Sequence, residues 1–141
     1  MTDGKRGIKS PRRERFDLSK AYLDWCLNGA TPSRPGALWA GLAAGTPTSV
    51  SGSEIGTQTG YSRITALFGA AASPAGSASN TAAMTFGPFS SNGSILGLQL
   101  WDGSPVASSD MLWYGTLLTA RTILVGDSLV VSAGGLIITM S

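Results

Sequence analysis

From Leu18 onward the apolar positions recur with a helical period: Leu18, Ala21, Tyr22, Trp25 and Cys26 fall at i, i+3, i+4, i+7 and i+8 and make one face. Asp17 before them is a good N-cap, and Asn28 and Gly29 supply a C-terminal stop, so a helix is predicted over 17–28. Past Gly36 the period shortens to two. Strands are predicted at Ala37–Ala43, Tyr61–Phe68, Ala82–Phe86, Ser94–Trp101, Met111–Leu118, Arg121–Val125, Ser128–Ser132 and Leu136–Met140, separated by small-residue turns. In SILGLQLW, Leu96, Leu98 and Leu100 alternate with Ile95, Gly97, Gln99 and Trp101, so both faces call for cover. In MLWYGTLL, Leu112, Tyr114 and Thr116 face one way and Met111, Trp113, Gly115 and Leu117 the other. Two stretches rich in Gly, Ser, Ala and Thr, Thr46–Gly60 and Gly69–Asn80, read as surface loops that conform to a neighbour.

Eight short strands and one helix predict a mainly β protein, an antiparallel β-sandwich with an N-terminal helix. The sandwich domain is expected to span 17–141 and to be packed through Trp25, Trp39, Trp101, Trp113 and Tyr114. Residues 1–16 read instead as an extended arm, because Gly4, Gly7 and Pro11 break helices and apolar residues are few. So polar an arm cannot offset its ordering entropy with its own contacts, and is expected to lie along a partner.

Charge sharpens this division. The first 20 residues hold seven basic and three acidic residues, net +4, whereas the other 121 hold three and five, net −2. Lys5, Arg6, Lys9, Arg12, Arg13 and Arg15 are the candidate partner-binding residues of the arm, suited to forked bonds with carboxylates. Charged residues are 13% of the chain, against roughly a quarter in ordinary soluble domains. A surface so poor in charge suits a protein packed against neighbours, including copies of itself as a dimer or trimer. Nucleic-acid binding is disfavoured, since Asp3, Glu14 and Asp17 dilute the arm and no aromatic platform adjoins it.

Catalytic chemistry finds no footing. Histidine is absent and Cys26 is the only cysteine, which excludes Cys/His zinc sites, His-assisted nucleophiles and a disulfide within the chain. Asp102, Asp110 and Asp127 sit in turn contexts that explain them without acid/base work. GSEIGTQTG lacks the Lys-Ser/Thr ending of a phosphate loop, and no calcium-loop pattern occurs. No catalytic residue, metal ligand or cofactor is therefore nominated. The N-terminus has no apolar segment of a secretory signal, and no run approaches the ~18 apolar residues of a membrane span.

Taken in order, Leu38-Trp39-Ala40-Gly41-Leu42, Gly60-Tyr61-Ser62-Arg63, the Asn80–Phe86 segment ending in Thr-Phe, Ile95 to Trp101-Asp102, Leu112-Trp113-Tyr114-Gly115-Thr116-Leu117, Val125-Gly126-Asp127-Ser128-Leu129 and Gly134-Gly135-Leu136-Ile137-Ile138-Thr139 resemble the small tailed-bacteriophage virion proteins. These are commonly labelled tail-fibre proteins and include capsid cement, or decoration, proteins. The resemblance covers 18–140 and implies a non-enzymatic structural role and a sandwich of jelly-roll type. The arm over 1–16 departs from many similar chains. It directs the expectation to a cement protein that binds the major capsid protein at the capsid surface of the virion, after assembly in the host cytoplasm. A tail-fibre, neck or baseplate component concerned with host attachment is the alternative.

Overall fold

The computed structural model describes residues 18–31, 36–48, 53–56, 60–73, 76–103 and 109–139. The expected arm over 1–16, with its six basic candidates, and the Asp17 cap lie outside these residues. The chain divides into two units, Met1–Arg34 and Pro35–Ser141; among the described residues, the helix α1 (Leu18–Asn28) falls in the first and the strands in the second.

Helix α1 ends as its sequence requires. Gly29 adopts φ 67°, a left-handed conformation that costs glycine little, and the turn lets the Ala30 N–H donate back to the Asp24 carbonyl at 3.2 Å. Trp25, expected to help pack the sandwich, lies in the first unit. Trp25 is 56% exposed and meets Tyr22 one turn earlier, ring centroids 6.0 Å apart. An amphipathic stripe is covered only where a second element packs on it, and the first unit by itself offers no second element among its described residues.

The second unit is built from β1 (Leu38–Ala43), β2 (Ile64–Ala66), β3 (Ser77–Ser79), β4 (Met84–Phe86), β5 (Gly93–Trp101), β6 (Met111–Ile123), β7 (Leu129–Val131) and β8 (Ile137–Thr139). All pairings are antiparallel: a four-stranded sheet in the order β2-β1-β5-β6, and two pairs, β3-β8 and β4-β7. From β3 to β8 the chain is one long hairpin with nested arms, β5 on β6, β4 on β7 and β3 on β8, the pairing of a jelly-roll ribbon. The result is mainly β, sandwich-like and not a closed barrel.

Alternation decides which side chains fill the interior. On β1, Ala40 and Leu42 are fully buried, and across the ladder Leu100 and Leu98 lie opposite them. Met84 and Phe86 of β4 join the core with Ile55, Tyr61, Ala66, Phe89, Ile95 and Ile123; Leu129 and Val131 of β7, Ile138 of β8 and Leu136 just before it pack on it. Buried Asn80 ties the ribbon's ends without an unmet polar atom. Its Nδ2 donates to the carbonyls of Ala82 and Ser132, both at 2.9 Å, and its Oδ1 accepts the Leu136 N–H at 2.8 Å.

Two departures from the expected strands have local causes. The stretch Gly69–Asn80 contains β3, whose Ser-Ala-Ser sequence has no strand signature; it is held from both sides, by β8 and by a bridge from Ser77 to Ala72. The strands expected at Met111–Leu118 and Arg121–Val125 are one thirteen-residue β6, but its register on β5 slips between Ile95↔Arg121 and Gly97↔Thr116. The two runs share one neighbour, with the irregularity between them. That arrangement leaves Trp113 half-buried against the core and Tyr114, opposite Gln99 on the sheet's last strand, 48% exposed. Among the described residues no further strand follows β6 in the sheet, which leaves Tyr114 outside the buried core.

Phe86→Ala should cost about 3–5 kcal/mol in urea unfolding, since Phe86 is 1% exposed in the core. Trp113→Ala, with a half-buried ring, should cost clearly less and leave a folded protein.

Candidate functional site

Between Pro35 and Trp101 the chain holds just two charged residues, Glu54 and Arg63. They meet. Arg63 donates from Nε to Glu54 Oε1 at 2.7 Å and from Nη2 to Oε2 at 2.6 Å, a two-pronged pair with side-chain exposures of 7% and 22%. Its Nη1 donates to the Gly103 carbonyl at 3.0 Å and to Ser109 Oγ at 2.6 Å, and its guanidinium lies 3.8 Å from the Trp101 ring centroid.

The backbone delivers each partner. Glu54 follows Ser53, whose φ of 47° is unusual for a side-chain-bearing residue, and this segment is clipped to the β1 end by Ala44 N–H to the Ser53 carbonyl and Ile55 N–H to the Leu42 carbonyl, both 2.9 Å. Tyr61 stacks on Phe86 at 6.2 Å; its Oη accepts the Leu42 N–H at 3.0 Å and donates to Glu54 Oε1 at 2.7 Å. Gly41 permits this approach, because a Cβ there would stand 2.8 Å from Tyr61 Oη, 3.0 Å from Trp101 Nε1 and 3.2 Å from Glu54 Oε1. Burial first, and then the Glu54 carboxylate, push the Tyr61 phenol well above its ordinary 10.0.

Chemically this cluster is a clamp. The carboxylate already receives three donors and the guanidinium gives four hydrogen bonds, so neither is poised to exchange a proton or to bind a substrate. What the clamp does is join β1, the turn at Glu54, the Tyr61–Arg63 segment and both ends of the β5–β6 connection. Trp101 belongs to it, half-buried under Arg63, and donates Nε1–H to Gln99 Oε1 at 3.2 Å; Trp39 pairs directly opposite Trp101 and is also half-buried. The sequence puts Glu54 in an expected surface loop and Arg63 in an expected strand, with no role for either. The usable signal was that they are the only opposite charges in a long uncharged stretch.

A second feature is an open groove of about 880 Å³ between β6 and the Gly135–Thr139 segment. Trp113, Tyr114, Leu117, Leu118, Ile137 and Ile138 shape it, and Arg121 is the only charged residue on its lining. Among the described residues no group of three or more His, Cys, Asp or Glu side chains could hold a metal, and no helix is long and apolar enough to cross a membrane.

A clamp of structural character and an apolar open groove accompany a family match over residues 17–139, which takes in α1 and all eight strands. The chain belongs to the family described as Podophage GP4 fiber I protein gp80. The fiber I match begins where the basic arm ends, so the arm lies outside the family's shared part. Membership in the fiber I family makes this a structural protein of a tailed-phage virion. No curated protein matches the chain.

Two outcomes are expected of the clamp. Arg63→Ala strands the Glu54 carboxylate and should cost about 3 kcal/mol in denaturant unfolding, while the Arg63→Met, Glu54→Leu double variant should lose less than the two single changes summed. Because the folded Tyr61 phenol sits above its ordinary 10.0, its contribution to stability is complete below pH 10 and falls as pH rises beyond. Ultraviolet titration should accordingly show Tyr61 ionising only as the fold opens, and Tyr61→Phe should remove that step.

Proposed function

We propose that this protein is a non-enzymatic subunit of the phage tail, placed in a fibre and built to assemble with neighbouring virion proteins. The observation that carries the reading is the family match through the whole strand-forming region. The low charge of the body, with four carboxylates and two arginines between Pro35 and Ser141, supports a role among packed neighbours. The clamp supports it too, by spending the body's buried charges on rigidity.

A capsid cement role is the second reading, and one feature favours it: the six cations Lys5, Arg6, Lys9, Arg12, Arg13 and Arg15 in the first 16 residues, outside the family's shared region. Such an arm suits an acidic groove on a major capsid protein. On this reading it would clamp neighbouring capsid subunits.

Antibody against the folded body, applied to intact virions and viewed by electron microscopy, separates the two. Labelling confined to the tail is expected. Dense labelling over the head would overturn the fibre placement and make the arm the capsid-binding element, and removal of residues 1–16 should then abolish head decoration.

A further inference from the structure

The chain has three asparagines, and two of them stand directly before glycine: Asn28-Gly29 and Asn92-Gly93. Asparagine is thermolabile, and it is most so in this pairing, because glycine carries no Cβ to shield its backbone nitrogen from the neighbouring carboxamide carbon. The two pairs are chemically alike and structurally opposite. Asn28 is the last residue of α1, and Gly29 leaves the helix at φ 67°. That end is closed by the 3.2 Å bond from Ala30 N–H to the Asp24 carbonyl, and helix ends fray. Among the described residues of its unit, the Asn28 carboxamide has no hydrogen-bond partner.

Asn92 is held on both sides. Its Oδ1 accepts the Val125 N–H at 3.0 Å, and Gly93 after it is the first residue of β5, paired with buried Ile123. The facing turn is itself fixed, by Gly126 N–H to the Phe89 carbonyl at 2.8 Å and Leu124 N–H to Asp127 Oδ2 at 2.9 Å. For Cγ of Asn92 to swing onto the Gly93 nitrogen, the Val125 bond must break and the start of the β5–β6 ladder must open.

We propose that Asn28-Gly29 is a site of spontaneous deamidation in the folded protein, and that the fold protects Asn92-Gly93 from the same reaction. The Gly29 amide nitrogen gives up its proton and bonds to Cγ of Asn28; the Cγ–Nδ2 bond breaks and the amide leaves as ammonia. Water then opens the cyclic imide, at the side-chain carbonyl to give aspartate or at the backbone carbonyl to give isoaspartate. The product puts a carboxylate at the C-terminal end of α1, where the helix dipole disfavours negative charge, and lowers the formal net charge of +2 by one. This chemistry belongs to the chain itself and stands apart from the choice between head and tail.

Peptide mapping by mass spectrometry, which reads the two asparagines separately, tests it on the full chain incubated in mildly alkaline buffer with and without guanidinium chloride. Circular dichroism confirms that the sample without denaturant stays folded. In the unfolded chain the two sites should react at similar rates. In the folded protein Asn28 should keep within about threefold of its unfolded rate, while Asn92 should slow roughly tenfold or more. Asn28→Gln should abolish the acidic form that isoelectric focusing resolves from aged, folded protein. Asn28 slowed as much as Asn92, or Asn92 reacting in the fold at its unfolded rate, would overturn the proposal.

Discussion

The body of this protein depends on one ion pair in an almost uncharged setting. Arg63 and Glu54 are too well enclosed for either to be left alone, so each position is tolerable only because the other is filled. Around them Tyr61 carries the backbone N–H of Leu42 to the carboxylate, Trp101 covers the guanidinium, and Gly41 leaves the space in which they meet. The pair thereby fixes segments that have little else to specify them. The segment Ser53–Gly56 has neither β-branched alternation nor a long apolar run, yet Glu54 is bridged to Ala43 of β1 and Ile55 lies in the core.

A second constraint is the nested ribbon. Once β5 and β6 are paired, the chain on either side can only continue outward, β4 meeting β7 and then β3 meeting β8. Short segments of three residues become strands in this way without strong propensity of their own, because their hydrogen bonds are dictated by what lies beside them. Buried Asn80 fastens the end of that ribbon, where β3 meets the approach to β8. Interior packing then follows from alternation, with phenylalanine, methionine and aliphatic residues inside and serine, threonine and glycine outside.

Rigidity inside and plain surfaces outside suit a member of a phage fibre family. The charges that could have guarded the body's surface are few, and two of them are consumed in the clamp. What is left to meet the surroundings is mostly backbone edge, small side chains and a handful of exposed apolar groups, which are the materials of assembly rather than of catalysis.

Several features were legible in the residues themselves. The period-two runs located β1, β5 and β7 to within a residue or two, the helix ended at Asn28 and Gly29, and the absence of histidine with a lone cysteine excluded whole classes of chemistry. Those signals are local: they depend on neighbours along the chain, or on counting. What only the tertiary structure decided was non-local. Tyr114 is apolar enough for a core, yet its exposure is set by whether another strand lies beyond β6, and among the described residues none does. Ser77–Ser79 is a strand because β8 and Ala72 flank it. Glu54 and Arg63, nine residues apart, are a clamp rather than two loop charges because the backbone at Ser53, Gly41 and the aromatic rings bring them together in a partly buried place where water screens them less.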